Sequence, residues 1–215
     1  MNKDSLRINE LFYSLQGETC TVGLPTVFIR LTGCPLRCTY CDSAYAFSGG
    51  DRLSLDQIIA QVQGYKAWHV TVSGGEPLAQ PAVFELMARL CDLGYEVSVE
   101  TSGALPVNNI DVRVMKVVDI KTPGSGEQQR NLYENFKYIT AKDQIKFVIC
   151  HREDYDWAVA CMSEYDLTSK CEVLFSPSYE ELKGVELADW ILTDQLNVRF
   201  QLQLHKILWG DVPGK

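Results

Sequence analysis

Residues 26–42 read Thr26-Val27-Phe28-Ile29-Arg30-Leu31-Thr32-Gly33-Cys34-Pro35-Leu36-Arg37-Cys38-Thr39-Tyr40-Cys41-Asp42. The first six are β-branched or apolar over most of their length, which predicts a buried strand. That strand delivers the chain into a loop where Cys34, Cys38 and Cys41 have the spacing Cys-x-x-x-Cys-x-x-Cys. Thiolates this close in sequence can converge on one soft metal centre without help from distant parts of the fold. A tetrahedral structural zinc needs a fourth ligand, usually from a second Cys/His pair. Cys20, Cys91, Cys150, Cys161 and Cys171 are scattered singly, and neither Cys-x-x-Cys nor His-x-x-x-His recurs. Three thiolates suit a four-iron–four-sulfur (4Fe-4S) cluster with one iron left open. A zinc completed by a remote residue is the alternative.

Working outward, strands and helices alternate. Residues 6–15 read as a strand ending in Leu15-Gln16-Gly17-Glu18. Ser54 is a good N-cap for a helix whose Leu55, Ile58, Ile59 and Val62 form an apolar stripe. Residues 68–72 predict a strand and 81–93 a helix with Val83, Leu86, Met87 and Leu90 on one face. Further strands are expected over 95–99, 114–120, 144–150, 172–175 and 198–204, and helices over 132–138, 154–165 and 184–195. The glycine-rich and polar loops fall at strand C-termini, where parallel α/β folds carry their chemistry. The expected fold is α/β: an open partial (β/α) barrel of roughly six parallel strands with reduced helical cover, too few to close an eight-stranded barrel. One domain covers the whole length.

With 215 residues, 46% hydrophobic and 22% charged, the composition is that of an ordinary globular domain. Apolar runs fall short of the roughly 18 residues that span a bilayer, and Met1-Asn2-Lys3-Asp4-Ser5 lacks an export signal's apolar core. Clustered thiols without such a signal point to a reducing cytoplasm. The net charge of −8 argues against broad phosphate-backbone binding, so no nucleic acid or membrane partner is expected.

The cysteine loop, with Tyr40 before its last thiol, resembles the motif of the radical S-adenosylmethionine (SAM) enzymes, and Ser73-Gly74-Gly75-Glu76-Pro77 is similar to their Gly-Gly-Glu-Pro segment. The paired glycines let backbone come close to a ligand. The resemblance implies that the open iron chelates the amino and carboxylate groups of SAM, whose cleavage releases a deoxyadenosyl radical. The chemistry is the cofactor's, and the protein orients it. It implies SAM contacts at Tyr40, Cys41 and Asp42 near the adenine, at Gly75 and Glu76, with Glu76 accepting from the α-amino group, and at the strand ends Glu100, Ser102, Asp119, Ile120, Lys121 and Ser176.

Leu15-Gln16-Gly17-Glu18, Arg30, Cys41-Asp42-Ser43, the run from Asp119 to Gly126 and Gln201-Leu202-Gln203-Leu204-His205-Lys206 narrow the resemblance to the 7-carboxy-7-deazaguanine synthases, over nearly the whole chain. The implied reaction contracts 6-carboxy-5,6,7,8-tetrahydropterin to 7-carboxy-7-deazaguanine with loss of ammonia, in queuosine-type deazapurine synthesis. Leu15, Gln16, Gly17, Glu18, Arg30, Ser73, His205 and Lys206 become expected substrate contacts. A pterin's amide edge suits Gln16 and Glu18, and its carboxylate suits the Arg30 fork. An ion pair with an internal carboxylate is the other reading of Arg30. Mg²⁺ is the family's substrate-binding ion, and Ser43 stands where the family usually has Thr, keeping the hydroxyl. An external flavodoxin- or ferredoxin-type electron donor and a homodimer complete the expectation. Two alternatives are a glycyl-radical activase, which has no use for Leu15-Gln16-Gly17-Glu18 or Arg30, and a non-catalytic zinc scaffold.

Overall fold

The computed structural model describes residues 4–210, 212 and 214. The polar start at Met1, Asn2 and Lys3, and Asp211, Pro213 and Lys215 of the tail, lie outside the described residues. Among the described residues, nine strands form one sheet: β1 (Ser5–Leu15), β2 (Pro25–Leu31), β3 (Asp51–Ser54), β4 (His69–Gly74), β5 (Glu96–Thr101), β6 (Met115–Asp119), β7 (Gln144–Ile149), β8 (Glu172–Pro177) and β9 (Arg199–Phe200). Their order is β3-β1-β2-β4-β5-β6-β7-β8-β9. From β2 onward all neighbours are parallel, whereas β1 pairs antiparallel with both β2 and β3. The order is linear, so the barrel is open, and β2 to β8 supply the expected parallel strands.

Five α-helices accompany the sheet: α1 (Leu55–Gln63), α2 (Val83–Asp92), α3 (Arg152–Tyr165), α4 (Gly184–Thr193) and α5 (Leu204–Trp209). The Ser54 hydroxyl accepts from the Gln57 amide while the Gln57 side chain accepts from the Ser54 amide, a capping box worth about 1 kcal/mol. The β5–β6 connection carries no α-helix, and residues 132–138 form a 3-10 turn (Tyr133–Tyr138) rather than an α-helix. Two further elements differ from expectation. The short antiparallel β3 was not predicted, because Asp51-Arg52-Leu53-Ser54 has little apolar content. The last strand shrinks to two residues, and His205 and Lys206, expected to close it, lie on α5. Leucine spacing there fits a helix as well as a strand, and pairing with β8 extends only over Arg199 and Phe200.

Alternation along the strands separates core from cavity. Val27, Ile29, Leu31, Val70, Val72, Val99, Val118, Ile145 and Phe147 are fully buried on the face that meets the helices. Residues of opposite parity line up across the sheet by register: Arg30 beside Ser73, Glu100 beside Val117, Asp119 beside Lys146, and Val148 beside Ser176. This second face is concave and polar. Among the described residues, no helix is long and apolar enough to cross a membrane.

Candidate active site

A cavity of about 490 Å³ opens at the C-terminal ends of the parallel strands. Its wall contains Leu15, Gln16, Gly17, Glu18, Arg30, Cys34, Cys38, Tyr40, Cys41, Asp42, Ser43, Ser73, Gly75, Glu100, Ser102, Asp119, Lys121, Ser176, His205 and Lys206. Residues that the sequence singled out at eight separate places thus converge on one space. Two do not. Ile120 has the parity of the helix-facing residues, is fully buried there and lines no part of the cavity. Glu76 is fully buried behind the wall, where its carboxylate accepts from the Leu78 amide (3.0 Å), the Thr101 hydroxyl (2.9 Å), and the Ser102 amide (2.8 Å) and hydroxyl (2.5 Å). These bonds tie the Gly-Gly-Glu-Pro loop to the end of β5.

On one wall, all three thiols are free and half-buried. Desolvation pushes Cys38 up to about 11 and also raises Cys34, so protons must leave when a metal is bound. The Cys34 sulfur accepts from the Leu36 amide at 3.4 Å. Gly75 packs against this loop so closely that a Cβ would meet the Gly33 carbonyl oxygen at 2.3 Å and Cys34 Cβ at 2.9 Å. Among the described residues, no three His, Cys, Asp or Glu side chains are grouped as a ready-made single-ion site. A cubane takes each thiolate on a separate iron, and the three thiols on this wall supply that many. Deeper in, the Tyr40 hydroxyl and Asp119 Oδ1 are buried without a hydrogen-bond partner. Lys121 Nζ holds Asp119 Oδ2 at 2.9 Å and lies 5.5 Å from the Tyr40 ring. Unpaired buried polar atoms are costly in a closed core, so their presence on a cavity wall fits a polar ligand.

The opposite wall is a network of charges. Gln16 Nε2 donates to Thr71 Oγ1 (3.1 Å) and Glu100 Oε1 (3.2 Å), and Gln16 Oε1 accepts from the Glu18 amide (3.1 Å). Glu18 is paired with Lys146 Nζ. Burial, and then the Glu18 charge, raise the Glu100 carboxyl above its usual range. Arg30 Nε donates to Glu10 Oε1 at 2.6 Å. The internal ion pair therefore exists, yet Arg30 also stands on the cavity wall. Asp42 sits at the rim. Desolvation would raise it, but Lys146, the hydrogen bond from Gln203 and Arg30 outweigh that and hold it below its ordinary range.

Residues 28–117 match the Radical SAM superfamily. The 7-carboxy-7-deazaguanine synthase of Chlorobaculum tepidum is 41% identical over 208 residues, covering 95% of this chain and 94% of the relative. The enzyme of the same name from Koribacter versatilis is 42% identical over 219 residues, covering 95% and 97%. The chain belongs to the 7-carboxy-7-deazaguanine synthase family. The crystal structure of QueE from Escherichia coli superposes with a TM-score of 0.77 at 23% identity, covering 93% of this chain and 94% of that one, and supports the fold.

Two wall residues of this family member were given no role by the motifs: Lys146 lies outside all of them, and Gln203 lies within the Gln201–Lys206 motif. Lys146 lies on β7 between Ile145 and Phe147, and a lone lysine in an apolar strand was the available signal. Gln203 Nε2 donates to both Glu18 Oε1 (3.0 Å) and Asp42 Oδ2 (3.1 Å), drawing the end of the chain onto the Leu15–Glu18 loop. The Leu204 amide donates to the Gly17 carbonyl at 2.9 Å, and a Cβ on Gly17 would meet His205 Nδ1 at 2.2 Å. Gly17 is thus the seat of His205.

Proposed function

We propose that this chain is the radical SAM enzyme that converts 6-carboxy-5,6,7,8-tetrahydropterin to 7-carboxy-7-deazaguanine with loss of ammonia, for queuosine-type deazapurine synthesis. What carries the reading is identity above 40% to synthases of that name across 95% of the chain, with the motif residues gathered around one cavity. Cys34, Cys38 and Cys41 would hold the 4Fe-4S cluster, and residues at the ends of β4, β5, β6 and β8 would hold SAM. Bound there, cluster and SAM supply a hydrogen-abstracting radical.

The chain's own residues orient the substrate and keep water out. Gln16 and Glu18, fixed by Thr71, Lys146 and Gln203, read the amide and exocyclic amine of the pterin. Glu18 is held in place by its pairing with Lys146, whereas Glu100, its carboxyl raised by burial, takes up a proton more readily than an exposed carboxyl does. Arg30, already anchored through Nε to Glu10, takes the substrate carboxylate. Ser73 and Lys206 complete the contact, and His205, whose pKa burial lowers, is a neutral hydrogen-bonding partner at neutral pH. Asp42 and Ser43 offer hard oxygens for a Mg²⁺ that keeps its other positions for substrate and water. The electron comes from a flavodoxin- or ferredoxin-type protein of the cytoplasm, and two chains form the working dimer, which light scattering on the purified protein checks.

The test is anaerobic turnover. Reconstituted, reduced protein with SAM, Mg²⁺ and the carboxytetrahydropterin is expected to form 7-carboxy-7-deazaguanine, more slowly when Mg²⁺ is withheld. Recovery of the pterin unchanged, with deoxyadenosine still released, refutes the substrate assignment.

A further inference from the structure

The loop after β6 reads Thr122-Pro123-Gly124-Ser125-Gly126-Glu127, and none of these residues belongs to the cavity wall. They touch the cysteine loop from behind. The Thr39 hydroxyl donates to the Gly124 carbonyl (2.7 Å), the Thr39 amide to the Ser125 carbonyl (3.1 Å), and the Arg37 amide to Glu127 Oε1 (2.6 Å). Every one of these donors lies between Cys34 and Cys41. The loop is rigid in its own right: the Ser125 hydroxyl donates to the Thr122 carbonyl (2.6 Å) and accepts from the Glu127 amide (3.1 Å), while the Thr122 hydroxyl donates to the Val148 carbonyl (3.0 Å).

A side chain from α3 also pins this loop to the rest of the fold. Asp154, on α3 and fully buried, accepts from the Gly124 amide through Oδ1 (2.7 Å) and from the Cys150 amide through Oδ2 (3.0 Å). A Cβ on Gly124 would meet Asp154 Oδ2 at 2.5 Å and His151 Nε2 at 3.1 Å, so glycine is needed for the carboxylate to reach the backbone.

We propose that Asp154 is a positioning residue for the iron–sulfur cluster, acting through Gly124 and Thr39 to hold the cysteine loop in its metal-ready shape. The chain of contacts runs from the α3 carboxylate to the Gly124 amide, and from the Gly124 carbonyl to the Thr39 hydroxyl, one residue from Cys38. Asn at 154 offers one acceptor and one donor to two backbone donors, so one of the two bonds is replaced by a clash of N–H groups. Charge-assisted hydrogen bonds of this kind are strong enough for their loss to be read as roughly tenfold effects. The inference rests on the cluster assignment but not on the substrate.

The experiment compares Asp154→Asn, Thr39→Val and the double variant with the parent chain in two states. In reconstituted protein, the rate of iron loss to a chelator, followed by the charge-transfer absorbance, is expected to rise about tenfold for each single variant. The double variant should lose iron no faster than the worse single one, since both cut the same path. In metal-free protein, alkylation of Cys38 should speed up in the variants while thermal stability of the Thr39→Val chain, altered at an exposed position, stays that of the parent. Equal iron-loss and alkylation rates in Thr39→Val and parent overturn the proposal. Additive effects in the double variant also overturn it, because they place the two residues on separate routes. A parent chain that takes up no iron refutes the cluster reading itself, whereas the alkylation comparison still decides whether Asp154 shapes the loop.

Discussion

The two walls of the cavity are built by different physics. The cysteine wall takes its three thiols from an eight-residue span and is held in place largely by short-range contacts to backbone: the Gly124 and Ser125 carbonyls and the Glu127 carboxylate accepting from Thr39 and Arg37 behind it, Gly75 against Cys34, and Glu76 tying loops together out of sight. The facing wall is held by charged and amide side chains from far apart in the chain. Glu18 and Lys146 are separated by 128 residues, and Gln203 reaches Glu18 across 185. Backbone contacts fix a shape that any substrate chemistry can share, while a side-chain network can be retuned to one ligand. Generic radical chemistry and substrate recognition are thus separable by mutation.

Cys38→Ser attacks the first wall and has the largest expected effect. A hydroxyl is a poor ligand for iron in this setting, so cluster absorbance, deoxyadenosine and product should all vanish together. Retention of SAM cleavage by this variant would remove the cluster from these thiols. Lys146→Met attacks the second wall. It leaves Glu18 without its buried partner and beside Glu100, a loss that costs about 3–5 kcal/mol when the pair is this well buried. Product formation is expected to fall about a hundredfold or more, while SAM cleavage continues uncoupled and the melting temperature drops by several degrees. Parallel loss of both activities would show that the walls are not independent.

The same contrast explains what could be read from the chain. The strand–loop–helix alternation and the Cys-x-x-x-Cys-x-x-Cys spacing are local, so the open parallel sheet and the cysteine wall were legible in the sequence. The parity of the strands was legible too, since Thr71, Ser73, Ser98 and Glu100 interrupt apolar runs at every second position. The role of Glu76 was not, because neither its full burial nor its bonds to Thr101 and Ser102 leave a trace in the Gly-Gly-Glu-Pro motif. Lys146 and Gln203 depend on pairings between remote segments, which no local pattern encodes. The end of the chain fared worst. Leu202, Leu204 and Leu208 support either period, and only the pairing limit of β9 decides for α5.

Two smaller effects probe how α5 closes the second wall. Gly17→Ala puts a methyl where His205 Nδ1 sits, 2.2 Å from the new Cβ. The imidazole must shift, at a cost of about 1–3 kcal/mol for overpacking. The KM for the pterin should rise about tenfold, with SAM cleavage untouched. An unchanged KM would detach His205 from the substrate wall.

The smallest effect is one of pH. Desolvation lowers the His205 pKa from 6.5, partly offset by Glu18 and Asp42 and reinforced by Lys206 and Arg30. The docked chain therefore binds fewer protons here than the undocked one between the lowered value and 6.5, and docking strengthens as pH rises through that window. Its contribution is complete above the ordinary value and is lost as pH falls through the lowered one. The KM for the pterin should accordingly climb a few-fold on acidification below 6.5, and His205→Gln, which cannot titrate, should flatten that limb while leaving the rate of SAM cleavage unchanged. An acid limb that survives in His205→Gln would move the titrating group to Glu100 on the same wall, whose carboxyl burial raises.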